Sequence, residues 1–217
     1  MKNRKKQIIV LGLGRFGASV AVHLSQMGHE VLAVDADEEL VNTLAPHVTQ
    51  AIQADATDEA ALAEMDIASF DAAVVAIGTN SRDSILVTVL CKEAGVPLVI
   101  AKAVDELHAK VLRKVGADRV VFPEQDMGQR VARSLDAPNI LDLAELSGDY
   151  RIAELLTPDK WCGRTLLEIN VRRDYGLSVM GVKRGENFLP APGADMCLQP
   201  GDVLLVLGRS KDIEAIR

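Results

Sequence analysis

The chain has 217 residues with a formal net charge of -7; 48% of them are hydrophobic but only 3% aromatic, and three are cysteine. That length fits one large domain or a medium domain with a smaller partner, and the composition suits the Val, Ile, Leu and Ala filling of a buried parallel sheet. The acidic balance argues against nucleic acid, whose binding rests on neutralising phosphates with Lys and Arg, and no apolar run reaches the ~18 to 20 residues needed to cross a bilayer.

The basic start, Lys2 to Lys6, reads as a solvated arm, with a membrane-surface or phosphate contact as the alternative. The apolar run after it is too short for a signal peptide, so a soluble, cytoplasmic protein is expected. Gln7 to Gly17, QIIVLGLGRFG, places Gly12, Gly14 and Gly17 in the G-x-G-x-x-G spacing of a buried strand turning into a helix. Gly12 permits the tight turn, Gly14 lets a ligand phosphate approach the main chain, and Gly17 lets the helix sit close to the sheet. A pyrophosphate there would meet the N-H groups and positive dipole end of the helical run 18–27. Strands are expected over 30–34, 49–54, 72–77, 98–101 and 119–122, with helices over 38–44, 59–65, 81–93 and 106–115 between them. This alternation is a Rossmann-like, doubly wound parallel sheet of six strands ending near Pro123.

A connector helix over 124–135, with an apolar stripe at Met127, Val131 and Leu135, must bury that stripe on its own domain or on a neighbouring copy. It ends at Ala137 and Pro138. Beyond it, ILDLAEL, YRIAELL, LSVMGV and DVLLVLG alternate with turns at Ser147-Gly148, Gly185-Glu186 and Pro200-Gly201, a small α+β module with one clear helix over 165–173 and another starting at Asp212. The expected domains are therefore 1–136, including the connector, and 137–217.

Several residues could carry chemistry. Asp35 ends the second strand, where a carboxylate accepts from a ribose 2'-hydroxyl and repels a 2'-phosphate, which favours NAD, ADP or ATP over NADP; the alternative is an acid that merely ends a strand. Asp55 follows the third strand and reads either as a neighbour of the adenine amino group or as a helix N-cap. Arg15 is placed to meet phosphate oxygens in its own site or a partner's, or else lies on the surface. Gly78, Thr79 and Asn80 end the fourth strand on the cleft side, Lys102 ends the fifth, and Glu124 follows the sixth, all on the carboxyl edge where such sheets bind ligands. Glu124 has three readings: a first-turn helix acid, a salt-bridge partner, or a metal ligand completed by phosphate, water or another carboxylate. The candidate nucleotide-binding set is Gly12, Leu13, Gly14, Arg15, Phe16, Gly17, Asp35, Ala36, Asp55, Ala56, Ile77, Gly78, Thr79, Lys102 and Glu124. Enzyme chemistry lacks its parts. His23, His29, His47 and His108 read as surface residues away from the cleft, the second module has no histidine, and no G-x-S-x-G, H-E-x-x-H or Walker-type lysine loop is present. Cys91, Cys162 and Cys197, odd in number and widely spaced, read as free thiols of a reducing compartment.

VLGLGRFG, Val34-Asp35, Ala54-Asp55-Ala56-Thr57, Val75 to Gly78, Lys102, Gly116-Ala117-Asp118 and VFPE at Val121 to Glu124, followed by a Leu-rich module with Pro200-Gly201-Asp202, resemble the RCK (regulator of K+ conductance) proteins. The resemblance is to the cytosolic gating subunits of bacterial Ktr- and Trk-type potassium uptake systems, and covers nearly the whole chain. It implies a non-enzymatic, homo-oligomeric ring, an octamer built of dimers, beneath a membrane-embedded potassium-translocating subunit, hence a peripheral place on the inner face of the cell membrane. It implies ATP or ADP, or NAD(H), in the Rossmann cleft, with Arg15 reaching the terminal phosphate across the dimer and Glu124 at a Mg2+ or other cation site between subunits. In many relatives the second module binds cyclic di-AMP; the corresponding residues are Leu166, Asn170, Arg172, Leu177, Ser178 and Val179. Asn170 and Ser178 depart from the pattern, standing where an Asp and an Asn are common, and the alternative is a plain dimerisation module. The runner-up functions are an NAD-dependent oxidoreductase and an RCK regulator of a different channel or transporter.

Overall fold

The computed structural model describes residues 4–78, 80–136, 139–146 and 148–216. Lys2, Thr79, Ala137, Pro138 and Ser147 lie outside the described residues. The chain divides into two compact units, Met1–Gln125 and Asp126–Arg217.

The first unit alternates strand and helix: β1 (Gln7–Leu11), α1 (Arg15–Gln26), β2 (Glu30–Asp35), α2 (Glu38–Leu44), β3 (Gln50–Gln53), α3 (Glu59–Glu64), β4 (Ala72–Val75), α4 (Ser81–Glu93), β5 (Val99–Lys102), α5 (Glu106–Lys114) and β6 (Arg119–Val121). The strands form one parallel sheet in the order β3-β2-β1-β4-β5-β6. β1 shows why this sheet is buried on both sides. Because alternate side chains point to opposite faces, Ile8 and Val10 join one core with Ala21 of α1 and Val41 of α2, while Ile9 and Leu11 join another with Leu62, Val87 and Leu112 of α3, α4 and α5. Strand order reverses between β1 and β4, which leaves a crevice at their carboxyl ends.

The helix α6 (Pro123–Asp136) begins in the first unit and runs into the second. The second unit continues with β7 (Ile140–Glu145), β8 (Tyr150–Leu156), α7 (Leu166–Ile169), α8 (Val171–Tyr175), β9 (Ser178–Arg184), β10 (Asn187–Pro190), β11 (Val203–Arg209) and α9 (Ser210–Glu214). Its antiparallel sheet has the order β10-β9-β11-β8-β7. Trp161, Leu155, Leu198, Leu204 and Ile213 are fully buried in its core. Asp202, 1% exposed, takes both nitrogens of an Arg184 fork (2.8 and 2.7 Å) and the Gln199 N-H (2.8 Å), so the Pro200-Gly201-Asp202 turn is tied to β9.

Four details differ from expectation. Helix α1 starts at Arg15, directly after Gly14, three residues earlier than its apolar periodicity suggests. The single helix expected over 165–173 is two short ones, because Asn170 adopts the left-handed conformation (φ 53°) that asparagine tolerates better than most residues. β10 was not expected. His108, read as a surface residue, is 5% exposed: it lies on the inner face of α5 with Ala109 and Leu112, and the Val104 N-H donates to its Nδ1 (3.3 Å).

Candidate functional site

The glycine turn is shaped by close approach on two sides. Gly12 has φ +97°, a conformation that favours glycine, and a Cβ there would stand 3.0 Å from the Ile77 nitrogen. A Cβ on Gly17 would lie 1.9 Å from the Gly12 carbonyl oxygen, so α1 can pack against its own turn only with glycine at this position. Gly14 is different. Its φ is an ordinary -59°, and among the described residues no atom beyond its chain neighbours and its own helix backbone comes within 4 Å of where its Cβ would be. Nothing among the described residues requires glycine there.

The helix N-termini of the first unit make a second contrast. Asp37 caps α2, Asp58 caps α3, Asn80 caps α4 and Asp105 caps α5, each accepting from a backbone N-H of the first turn. Helix α1 has Gly14 at its N-cap, no side-chain cap and no acid in its first turn. Its N-terminus, with the positive end of the helix dipole, opens on a cavity of about 360 Å3.

That cavity joins the carboxyl ends of four strands. Of the candidate residues, Gly12, Gly14, Asp35, Ala36, Asp55, Ala56, Ile77 and Gly78 line it. Asp35 does more than face the cavity: the Leu13 N-H donates to its Oδ2 (2.5 Å) and the Asp37 N-H to its Oδ1 (2.9 Å), so the carboxylate holds the glycine turn against the end of β2. Each oxygen keeps lone-pair capacity for a further donor. Asp55 Oδ1 accepts from both the Thr57 hydroxyl (2.7 Å) and the Thr57 N-H (2.8 Å), and these bonds, the hydroxyl's first, hold its carboxyl below the usual range. The cap of α3 is Asp58, not Asp55, which removes the helix-cap reading of Asp55.

The remaining candidates lie around this cavity rather than on it. Leu13 is buried in the core, Phe16 packs against that core, Gly17 faces Gly12, and Arg15 is exposed. Lys102 Nζ donates to Glu124 Oε1 at 2.5 Å, and a Cβ on Gly78 would stand 3.0 Å from that ammonium. The Glu124 carboxyl is held below its ordinary value, chiefly by the Lys102 hydrogen bond, with a smaller contribution from Arg15. Of its three readings two hold together, since Glu124 is the second residue of α6 and also forms the salt bridge to Lys102; among the described residues no group of three or more His, Cys, Asp or Glu is disposed to hold a metal ion. Two lining carboxylates escaped the sequence reading, Asp37 and Asp83. Asp37 has the cap pattern, but only the folded structure reveals that Asp83, in the first turn of α4, lines the same cavity as the glycines. A larger hollow of about 690 Å3 lies across β2 and β3, reaching the strand starts at Gln7 and Glu30. It includes neither the glycine turn nor a helix of eight or more residues, so it offers no comparable anion site.

In the second unit, Leu166 and Val179 are half-buried against the core, Asn170 joins α7 to α8, Ser178 opens β9 and Arg172 is exposed. Leu177 is fully buried, its Cδ2 above Gly208, and faces the core of its own unit.

Comparison with known proteins agrees with this architecture. The TrkA-N domain model matches residues 8–123 and the TrkA-C domain model residues 151–217. The chain is 42% identical over 211 residues to Ktr system potassium uptake protein A of Bacillus subtilis, covering 97% of this chain and 95% of that one. It is 40% identical over 208 residues to the protein of the same name from Vibrio alginolyticus, covering 96% and 94%. Among solved structures, the GsuK RCK domain superposes with a TM-score of 0.67 at 20% identity, over all of this chain and 47% of that one, and supports the fold alone. Two matched domain models and near full-length identity to Ktr proteins place this chain in the RCK family of TrkA-N/TrkA-C potassium-uptake regulatory proteins.

Proposed function

We propose that the chain is the nucleotide-sensing subunit of a bacterial potassium uptake system, binding ATP or ADP, with NAD(H) as a further adenosine-bearing ligand, at the carboxyl edge of its parallel sheet. One observation carries the reading: α1 alone among α1 to α5 lacks a side-chain cap, and its N-terminus opens on a cavity that also presents Asp35. The phosphates would lie at Gly12 and Gly14, the ribose at Asp35 and the adenine toward Asp55 and Ala56. Sensing needs a ligand that binds two arrangements of the protein unequally. Exposed Arg15 suits that role, since a γ-phosphate adds charge that only one arrangement of neighbouring copies pairs with a guanidinium. The exposed stripe on α6, with Met127 at 56% and Leu135 at 78%, supports a homo-oligomer in which this face is covered. The membrane potassium-translocating subunit would be the partner of that oligomer, with the chain peripheral to the membrane; none of the helices among the described residues is long and apolar enough to span one.

The test is calorimetry of ATP, ADP and NADH on the full chain and on Asp35→Asn, coupled to potassium flux in liposomes carrying the membrane subunit. Saturable binding that Asp35→Asn weakens, with flux differing between ATP and ADP, is expected. Absence of heat with all three nucleotides, or flux indifferent to which is present, would overturn the proposal. Nicotinamide oxidation with substrate would instead favour an oxidoreductase.

A further inference from the structure

Among the described residues the charged groups lining the cleft are all acidic, Asp35, Asp37, Asp55 and Asp83; the ammonium of Lys102 stands behind Gly78 but is paired with Glu124. Three of these carboxylates have tasks within the fold. Asp35 holds the glycine turn through both oxygens, Asp37 caps α2, and Asp55 is fastened to Thr57. Asp83 is a first-turn acid of α4, and its carboxylate forms neither hydrogen bond nor ion pair with any described side chain.

Its position gives that unengaged charge a direction. Asp83 is the third residue of α4, and it lines the same cavity as Gly12, Gly14 and Gly78. The first turn of a helix of this length would ordinarily attract phosphate, but a carboxylate there answers the helix dipole with a negative charge belonging to the protein. The cleft therefore has one helix N-terminus that invites phosphate, that of α1, and another that is closed to it by Asp83.

Resting on the nucleotide-binding reading above, we infer that Asp83 is a specificity-determining charge filter at the phosphate end of the cleft. It disfavours a bare triphosphate and makes the entry of ATP depend on a divalent cation that offsets phosphate charge. A ligand with a single phosphate on the α1 side is affected little. Coulomb repulsion across a partly solvated cleft, at an effective dielectric between that of a protein surface and water, corresponds to about a five- to tenfold loss of affinity for an uncomplexed triphosphate.

The experiment is calorimetry of the full chain and of Asp83→Asn with ATP in EDTA, ATP in excess Mg2+, and AMP. In EDTA the variant is expected to bind ATP about five- to tenfold more tightly than the unsubstituted chain. Excess Mg2+ should shrink that gap to less than about twofold, and AMP affinity should be the same in both. Equal ATP affinities in EDTA would overturn the filter, as would a change for AMP as large as that for ATP, which would make Asp83 only a support of the helix start. Failure of the unsubstituted chain to bind any adenine nucleotide would instead refute the proposed function, so the two failures are distinguishable.

Discussion

Replacing Gly14 by alanine separates what the fold needs from what a ligand needs. The position has φ -59°, within reach of any residue, and among the described residues a methyl group there meets no atom within 4 Å beyond its chain neighbours and its own helix backbone. Gly→Ala at a compatible φ gains about 0.4 to 1 kcal/mol by restricting the unfolded chain, and alanine is a poorer N-cap than glycine by a similar amount. The two offset, so the ligand-free variant should unfold within about 2 °C of the unsubstituted chain. A phosphate seated on the bare N-terminus of α1 must approach this backbone, and the methyl group would hold it away. If affinity falls tenfold, a nucleotide concentration that is a hundred times the original Kd stabilises by about 1.4 rather than about 2.7 kcal/mol. Thermal scans with and without ADP read this directly: the ligand-free midpoint stays and about half of the ligand-induced shift disappears. A full shift in Gly14→Ala would refute the placement of the phosphates.

Gly17→Ala should behave in the opposite way, since its methyl group would stand 1.9 Å from the Gly12 carbonyl oxygen. A loss of at least about 3 kcal/mol in chemical denaturation followed by circular dichroism is expected, with or without nucleotide. Acid should weaken the second unit through Asp202, whose pKa lies below the ordinary 3.8 because of its Arg184 hydrogen bonds and then its bond from the Gln199 N-H. A carboxyl depressed by folding contributes fully above pH 3.8 and loses that contribution as pH falls through the lower folded value. The single tryptophan, Trp161, is fully buried in this unit, so its fluorescence should report an acid transition that Asp202→Asn flattens, with about 2 kcal/mol lost at neutral pH; an unchanged acid limb would contradict this. Thiol labelling should find Cys197 fast, half-buried Cys162 slower and Cys91 silent until denaturation, because burial pushes the Cys91 thiol up to about 12.

The parts of this molecule legible in its sequence are those governed by local pattern. Alternating apolar runs and glycine turns place the six parallel strands to within a residue or two, and the spacing of Gly12, Gly14 and Gly17 marks the crevice. What the pattern does not carry is direction in three dimensions. Asp35 reads as a ribose acceptor, yet its bond to the Leu13 N-H spans 22 residues and appears only once β1 and β2 lie side by side. Asp83 resembles any first-turn acid until α4 is rotated against the sheet. His108 looks polar enough for the surface, but the inner face of α5 takes it in. β10 escaped because Asn187–Pro190 is exposed throughout and ends in proline, as edge strands do.

The double duty of Asp35 limits how this chain can change its ligand. Admitting an adenosine phosphorylated at the 2' position would mean deleting the negative charge at the end of β2, and the obvious replacements, alanine or a small neutral side chain, would release the main-chain nitrogens of Leu13 and Asp37 in the same stroke. Drift toward such ligands would thus have to remodel the preceding loop simultaneously. Selection acting on ligand choice and selection acting on the fold meet in one carboxylate, which makes this position resistant to single-step change.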